Sequence, residues 1–362
     1  PAADEVVFSS ATGIDDPPLS PSALVLAYPQ APQRCEAEAW SDAMALGATL
    51  ESLADDSAPP LPAGSAIRGG ARVIQTQSDC PFQAVARHRL GARAWPSAGP
   101  GLAAFERGML AHATLAAFWS AIGDRASLLA LDGDRLDSEI AAAVDEGVAC
   151  LPAVRWRSVP DAVRAAESRR LTRLLRAWLE IERARPPFAV VAVESQRALA
   201  LGGIALRIRI DRIDALEDGG LAIIDYKTGA LDQPAQWFDD RPRASQLGTY
   251  TLAQRAAEPG VSVRAVVHAE LRTESIAASG LAADRAAWPG LTHVAAAGRF
   301  ADWRSLELWW AEHLGALAAE LGSGVATVTP RLKPSPCRIC RLQALCRIDS
   351  VRFEEPEDNG AA

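Results

Sequence analysis

The chain has 362 residues, of which 49% are apolar and 23% are charged, so it can bury a substantial core and has the composition of a soluble globular protein. No apolar run approaches the length of a membrane span, and the N-terminus lacks a signal-peptide pattern. These features exclude a membrane protein and predict a cytoplasmic location. The net charge of −8 does not exclude a nucleic-acid partner, because the acidic excess lies at the two ends and residues 71–347 hold 34 basic and 30 acidic residues.

The first 75 residues are rich in Pro, Ser and Ala and show little regular pattern. We interpret residues 1–75 as a linker or the end of a preceding domain, and the first residue, a Pro, favours a chain that is part of something longer. A helical pattern begins at Ser78, where Ser78 or Asp79 is the expected N-cap, and apolar residues recur at helical spacing through Leu90.

Two more helices are predicted before the first strand. One carries an apolar stripe from Leu102 to Trp119 that includes His112, and the other runs through Leu171 and Ile181. A lone histidine on an apolar stripe is usually a core residue, so His112 by itself is a weak functional signal.

The period then changes to two, which predicts strands. The first strand, Phe188–Glu194, ends on a carboxylate that would ordinarily be solvated. Two further runs, Ile204–Asp214 and Leu221–Lys227, are separated by Glu217-Asp-Gly-Gly220, a turn signal that predicts a hairpin. A helix, a strand and a final helix complete the order: Arg243–Glu258, Val261–Leu271 and Trp303–Leu321. This order predicts an α/β fold with a mixed sheet.

Asp225 and Lys227 share one face at the end of their strand, together with Ile223. A carboxylate suits a hard divalent cation, and a lysine beside it suits a water or phosphate that the ion activates. In the hairpin, Asp211 could converge with Asp225 on one metal. The alternative is a surface hairpin with an Asp–Lys ion pair at its mouth.

Gln246 and Tyr250 are four residues apart in a predicted helix and therefore share a face. Such a pair suits a phosphate or a base, or simply belongs to the surface.

Clustered cysteines near the C-terminus indicate a metal or cluster, because a cytoplasmic chain rarely uses disulfides. Cys337-Arg-Ile-Cys340 is followed by Cys346 in a basic stretch, and Cys80 is the candidate fourth ligand. Four thiolates suit an iron–sulfur cluster or a structural zinc ion. Cys35 and Cys150 have no partner pattern.

The order of these signals resembles the RecB-like branch of the PD-(D/E)XK nucleases over roughly residues 75–350. The matching segments are Gly108-Met-Leu-Ala-His112, Ile210-Asp-Arg-Ile-Asp214, Ile224-Asp-Tyr-Lys-Thr-Gly229 and Gln246-Leu-Gly-Thr-Tyr250. The resemblance implies a restriction-endonuclease-like core, a mixed sheet flanked by helices, and hydrolysis of DNA that depends on Mg²⁺ or Mn²⁺. It implies two residue sets: metal ligands His112, Asp211, Asp225 and Tyr226, and catalytic residues Asp211, Asp225, Lys227, Glu194, Gln246 and Tyr250. Asp214 matches a position that is more often structural.

The cysteine pattern is similar to the 4Fe–4S staple of AddB-type nuclease domains, with Cys80, Cys337, Cys340 and Cys346 as ligands and Zn²⁺ as the alternative. The N-terminal stretch Val6–Leu24 is similar to the end of a helicase-like part that precedes such domains. We therefore expect a nuclease domain over residues 76–350, closed by the cluster, and an acidic tail over residues 351–362.

The expected function is a DNA nuclease, with exonuclease action favoured, that takes part in DNA end processing, recombination or repair. Its expected partners are DNA that is single-stranded or has a free end, and a helicase domain or subunit. The alternative is a catalytically silent module that binds DNA ends or acts as a scaffold. All the catalytic positions of the pattern are filled, which favours the enzyme.

Overall fold

The computed structural model describes residues 8, 22–28, 56–93, 101–229, 231, 234, 237–332 and 335–348. By its contacts the chain divides into two units, residues 1–54 and 55–362. The described part of the first unit contains a short helix, α1 (Ala23–Leu26), and a stacked pair of rings, Phe8 and Tyr28. Cys35, most of the stretch Val6–Leu24 and the acidic tail 351–362 lie outside the described residues.

Among the described residues, seven strands form one mixed sheet at the centre of the second unit. They are β1 (Ser65–Ile67), β2 (Phe188–Leu201), β3 (Ile204–Leu216), β4 (Leu221–Lys227), β5 (Val263–Arg272), β6 (Ser275–Ala282) and β7 (Thr292–His293). The spatial order is β1-β3-β4-β5-β6-β7, and β2 pairs with β3. The pairs β1/β3, β4/β5 and β6/β7 are parallel and the others are antiparallel, so the predicted mixed sheet is confirmed.

Helices cover both faces of the sheet. They are α2 (Arg72–Asp79), α3 (Pro81–Ala84), α4 (Ala104–Ile122), α5 (Arg125–Ala130), α6 (Gly133–Val148), α7 (Ala153–Arg157), α8 (Asp161–Ala184), α9 (Ser245–Ala257), α10 (Trp303–Ser323), α11 (Cys337–Cys340) and α12 (Gln343–Cys346). One core contains residues of α2, α9 and α10, and the other contains residues of α4, α6 and α8.

β4 is buried on both faces, which explains its nearly continuous apolar sequence. Leu221 and Ile223 belong to one core, while Ala222 and Ile224 belong to the other. The strand is therefore fixed from both sides, and the charged residues at its end are held on a rigid support.

The first predicted helix differs from the structure at its start. α2 already begins at Arg72 and ends at Asp79, so the prediction that Ser78 or Asp79 is an N-cap was wrong. Cys80 is extended (φ −169°, ψ 120°) and α3 begins at the next residue. The physical reason is Pro81, because proline disfavours helical backbone in the residue before it and is well tolerated at the first position of a helix.

Two helices approach each other closely at Gly248, within the motif around Gln246. A Cβ atom at this position would lie 2.7 Å from the ring of Trp310 on α10. Only glycine permits this contact. It fixes the position of α9, which carries Gln246 and Tyr250.

Among the described residues, no helix has the combination of length and hydrophobicity that crossing a membrane requires.

Candidate active site

The site forms where β3 and β4 separate. β2 pairs along one edge of β3, and on the other edge β4 pairs with β3 only from Arg212 to Ala215. Beyond this point the backbone N–H of Tyr226 donates instead to the side chain of Asp211, at 2.9 Å. The separation thus brings Asp211 and the end of β4 together without a ladder of backbone hydrogen bonds between them.

Three residues from three elements form a group that suits a metal ion. His112 of α4, Glu194 of β2 and Asp211 of β3 each offer a ligand atom, and these atoms all lie within 4.8 Å of one another. Nδ1 of His112 lies 3.2 Å from Oδ2 of Asp211. One imidazole and two carboxylates fit Mn²⁺ or Mg²⁺.

Glu194 reaches this group through an unusual backbone conformation. Its φ is +46°, in the left-handed region that non-glycine residues rarely adopt. Arg209 on the neighbouring strand holds its carboxylate at 2.9 Å. Burial and the charge of Asp211 raise the pKa of Glu194, although Arg209 and His112 oppose the shift.

The environment of His112 favours its protonated form. Burial lowers its pKa, but the hydrogen bond to Asp211 and the nearby charges of Asp225 and Glu194 outweigh this effect and raise it. A cation at this position is therefore stabilised by the surrounding carboxylates.

Asp225 lies in a second, adjacent group and is fully buried. Its Oδ1 accepts hydrogen bonds from Nε2 of Gln246 at 2.7 Å and from the hydroxyl of Tyr250 at 3.3 Å. Its Oδ2 lies 2.7 Å from Nζ of Lys227 and 2.9 Å from Nδ1 of His268. Burial raises the pKa of Asp225, but Lys227 and His268 outweigh it and hold the carboxyl well below its ordinary range.

The predicted pair on α9 faces this carboxylate. Gln246 also accepts a hydrogen bond from Nζ of Lys227 at 2.5 Å, so it joins the lysine to Asp225. Burial and the charge of Asp225 raise the pKa of Tyr250 well above its ordinary value, and the phenol remains a donor.

His268 was not predicted from the sequence. It is the pairing partner of Asp225 on β5, it is 3% exposed, and Trp237 packs against its ring. The available signal was a single histidine within the otherwise apolar run Ala265–Ala269 of β5.

The side chain of Tyr226 points away from the carboxylates of the site. Nη1 of Arg212 lies 3.3 Å from its hydroxyl, and burial raises its pKa. If Tyr226 contributes a metal ligand, that ligand would therefore be a backbone atom.

Behind Tyr226 lies a buried network of two arginines and two carboxylates. Arg212 pairs with Glu182 at 2.7 Å and with Asp214 at 2.6 Å, and Arg185 pairs with the same two carboxylates. The guanidinium of Arg212 also lies over the ring of Trp119. Asp214, which matches a family position that is more often structural than catalytic, thus lies in a buried ion network.

A cavity of about 760 Å³ opens next to the site, and we call it the basic groove. Asp211, Lys227, Gln246 and Tyr250 line it, and among the described residues Asp79 is the second carboxylate that does so. Six basic side chains line it: Arg72, Arg207, Arg209, Lys227, Arg243 and Arg331. Four of these six are already paired with a carboxylate: Arg209 with Glu194, Lys227 with Asp225, Arg243 with Asp239 and Arg331 with Asp79. Arg72 and Arg207 are exposed and belong to no ion pair among the described residues, and they favour an anionic ligand such as a phosphate backbone.

The structure brings the predicted cluster cysteines into one region. Burial is the main cause that raises the pKa of Cys80 and of Cys346, and the nearby Cys340 and Cys337 add to the rise in both. Gln83 donates a hydrogen bond to Sγ of Cys340 at 3.0 Å. Cys150 is exposed on α6's C-terminal side, away from this group.

Comparisons with known proteins identify the class to which this fold and site belong. The sequence pattern of the PD-(D/E)XK nuclease superfamily matches residues 71–347. The chain belongs to this superfamily.

Two solved structures are similar to this chain. A candidate exonuclease from Eubacterium rectale is 14% identical, with a TM-score of 0.36, over 79% of this chain and 89% of that one. The protein SSO0001 is 12% identical, with a TM-score of 0.28, over 76% of this chain and 95% of that one. A comparison with curated proteins found no match.

Proposed function

We propose that the chain is a cytoplasmic DNA nuclease that hydrolyses phosphodiesters with the help of Mg²⁺ or Mn²⁺. The observation that carries the proposal is the metal group of His112, Glu194 and Asp211, two members of which, His112 and Asp211, line the basic groove together with Lys227. Membership of the nuclease superfamily supports hydrolysis of a nucleic acid.

The metal ion would be held by His112, Glu194 and Asp211. The sequence also assigns Asp225 and Tyr226 to the metal, and this assignment stays part of the proposal. A divalent ion at this site supplies positive charge to a phosphate and lowers the pKa of water.

The protein's own residues position the reacting groups. Lys227 lies at the groove with its side chain 29% exposed, so it can contact a phosphate while Asp225 holds it in place. Gln246 fixes the lysine from the other side, and Tyr250 fixes the carboxylate. Preorganised charges of this kind stabilise the negative charge that develops on the phosphate.

We further propose that the substrate is a DNA strand with a free end and that the enzyme is an exonuclease of an AddB-like helicase–nuclease protein that acts in DNA repair. The support for these finer points is the resemblance of the motifs, together with the basic groove that leads to the site.

We also propose a structural 4Fe–4S cluster held by Cys80, Cys337, Cys340 and Cys346. The support is the sequence pattern of these four cysteines, whose thiol donors suit either a cluster or a zinc ion. Zinc is the competing outcome of the test given below.

Digestion of end-labelled single-stranded and double-stranded DNA, with Mg²⁺, Mn²⁺ or a chelator, tests the proposed function. We expect metal-dependent hydrolysis that releases the label progressively from one end. Binding of DNA without hydrolysis under every metal condition would contradict the proposal and favour a silent DNA-end-binding module. Release of internal fragments would contradict the exonuclease assignment only.

A further inference from the structure

A second cavity, of about 840 Å³, also borders the proposed metal group, and we call it the apolar groove. His112 and Arg209 line both grooves, and Glu194 lines this one. The metal group therefore lies where the two grooves meet.

Two large apolar side chains are exposed in the apolar groove. Phe105 is 70% exposed and Met109 is 45% exposed, although their neighbour Leu110 on the same helix is fully buried. Phe105 and Met109 are one turn apart on the face of α4 that carries His112. Exposed apolar residues that are adjacent and border a site mark an interaction surface, whereas isolated ones are ordinary.

The two grooves differ in charge. Of the described residues, six basic side chains and two carboxylates line the basic groove, whereas one arginine, Arg209, and two carboxylates, Glu146 and Glu194, line the apolar groove. Arg209 is paired with Glu194, while Arg72 and Arg207 supply the basic groove with positive charge outside the ion pairs of the described residues. Phosphates therefore favour the basic groove, and an uncharged part of the same ligand favours the apolar groove.

We propose that the apolar groove holds unpaired nucleobases of a single DNA strand, stacked on Phe105 and Met109, while its phosphates follow the basic groove. The inference rests on the proposed nuclease function and adds the form of the substrate at the site. Bases within a duplex are paired and stacked on each other, so their faces cannot reach this helix.

The distances along α4 agree with such a position. With a rise of 1.5 Å per residue, Met109 lies about 4.5 Å and Phe105 about 10 Å along the helix axis from His112. These side chains would contact nucleotides next to the phosphate at the metal group. Stacking on an aromatic ring is tolerant of sequence, so the groove would hold any base.

Fluorescence polarisation of labelled strands measures the contact directly. Full-length protein in chelator is titrated with a 12-nucleotide dT strand and with an abasic strand of the same length. The variants are Phe105→Ala, Phe105→Tyr and, as a control, Leu308→Ala, which removes another exposed apolar side chain, on α10.

We expect Phe105→Ala to weaken binding of the dT strand by roughly five- to a hundredfold. Binding of the abasic strand should not change, because it has no base to stack. Phe105→Tyr retains the ring and should bind like the unmutated protein, as should Leu308→Ala. In hydrolysis assays with Mn²⁺, Phe105→Ala should raise KM and leave kcat unchanged.

If Phe105→Ala and the unmutated protein bound the dT strand equally well, the inference would be overturned. The proposed function would still hold if the protein hydrolysed DNA. An equal loss of affinity for the dT and abasic strands in Phe105→Ala would also overturn the inference. If the unmutated protein were a dimer and Phe105→Ala a monomer, the apolar groove would be assigned to a second copy of the chain, and the inference would be overturned. Phe105-dependent binding of dT without any hydrolysis would support the groove and contradict the nuclease.

Discussion

Glu194 combines two features that rarely coincide in one residue. Its backbone has a positive φ, and its carboxylate belongs to the proposed metal group. A left-handed conformation costs a non-glycine residue about 1–2 kcal/mol, so the surrounding sheet must stabilise it. Such strain is typical of positions where a side chain must point in a direction that regular backbone does not allow. The conformation is therefore consistent with a functional role for this carboxylate.

Lys227→Ala should reduce DNA hydrolysis by at least about a hundredfold, because it removes a preorganised charge at the phosphate. Its side chain is partly exposed, so the melting temperature should change little. Initial rates of hydrolysis and a thermal melt check both points. Arg176→Ala, a change in an exposed ion pair with Asp137, is the control and should keep full activity. Unchanged hydrolysis in Lys227→Ala would remove the lysine from the site.

His112→Ala should lower hydrolysis in a way that a higher Mn²⁺ concentration partly restores, because mass action refills a weakened metal site. A titration of the rate against Mn²⁺ measures this shift. If His112 were only a core residue, the variant would lose thermal stability and show the same Mn²⁺ dependence as the unmutated protein.

His268→Phe should reduce hydrolysis about 10- to 100-fold, because residues that orient a ligand from behind contribute effects of this size. The phenyl ring keeps the packing against Trp237 but cannot bind Asp225. We therefore treat His268 as a positioning residue. His268→Gln, which restores a donor, should recover part of the rate, and a lack of difference between the two variants would contradict this role.

At the scale of secondary structure, the sequence predicted the elements whose signals are local. The β3–β4 hairpin follows from its period of two and from the Glu217–Gly220 turn, and both are confirmed. α6 and β6 were not predicted, since β6 consists largely of small residues and is held by pairing with β5. β1 has only three residues and exists because it pairs with β3.

The candidate site was likewise predictable only where its signals are local in the sequence. The motifs indicated His112, Asp211, Asp225 and Lys227, and the structure places them close together. The position of His268 next to Asp225 depends on the register between β4 and β5, which no local pattern specifies. Catalytic roles for these residues stay predictions.

The buried ion network joins β3 to α8 and should be essential for stability. Arg212→Met should lower the free energy of unfolding by about 3–5 kcal/mol, because Arg185 alone would then face Glu182 and Asp214 and one buried negative charge would be left uncompensated. Urea denaturation measures the change. Arg176→Met, which removes an exposed pair, is the control and should change the stability by less than about 1 kcal/mol. Equal effects for the two variants would contradict the network's importance.

At the scale of the whole molecule, the proposed cluster would connect distant parts of the chain. Cys80 lies between α2 and α3, and the other three cysteines lie in and next to α11 and α12. A crosslink over so long a loop restricts the unfolded chain strongly, although measured gains follow loop length only loosely.

Cys80→Ser should therefore yield colourless protein with a lowered melting temperature, because the proposed cluster loses a ligand. Iron and sulfide analysis of anaerobically purified protein, with absorbance and a thermal melt, checks this outcome. Cys150→Ser, at an exposed thiol, is the control and should stay coloured and active. About one zinc and no iron in the unmutated protein would replace the cluster with a zinc site.

The parallel pairing of β1 with β3 has a consequence for the order in which the molecule assembles. Ser65 pairs with Ile204, far along the chain, whereas β2, β3 and β4 are consecutive and pair with one another. Contacts between distant segments form slowly, because the intervening loop must close first. The hairpins that carry Asp211 and Asp225 can therefore form early during folding. Gly69 and Gly70, which follow β1 and line the basic groove, reach their final positions later. A refolding chain would bring these carboxylates together before the basic groove is complete.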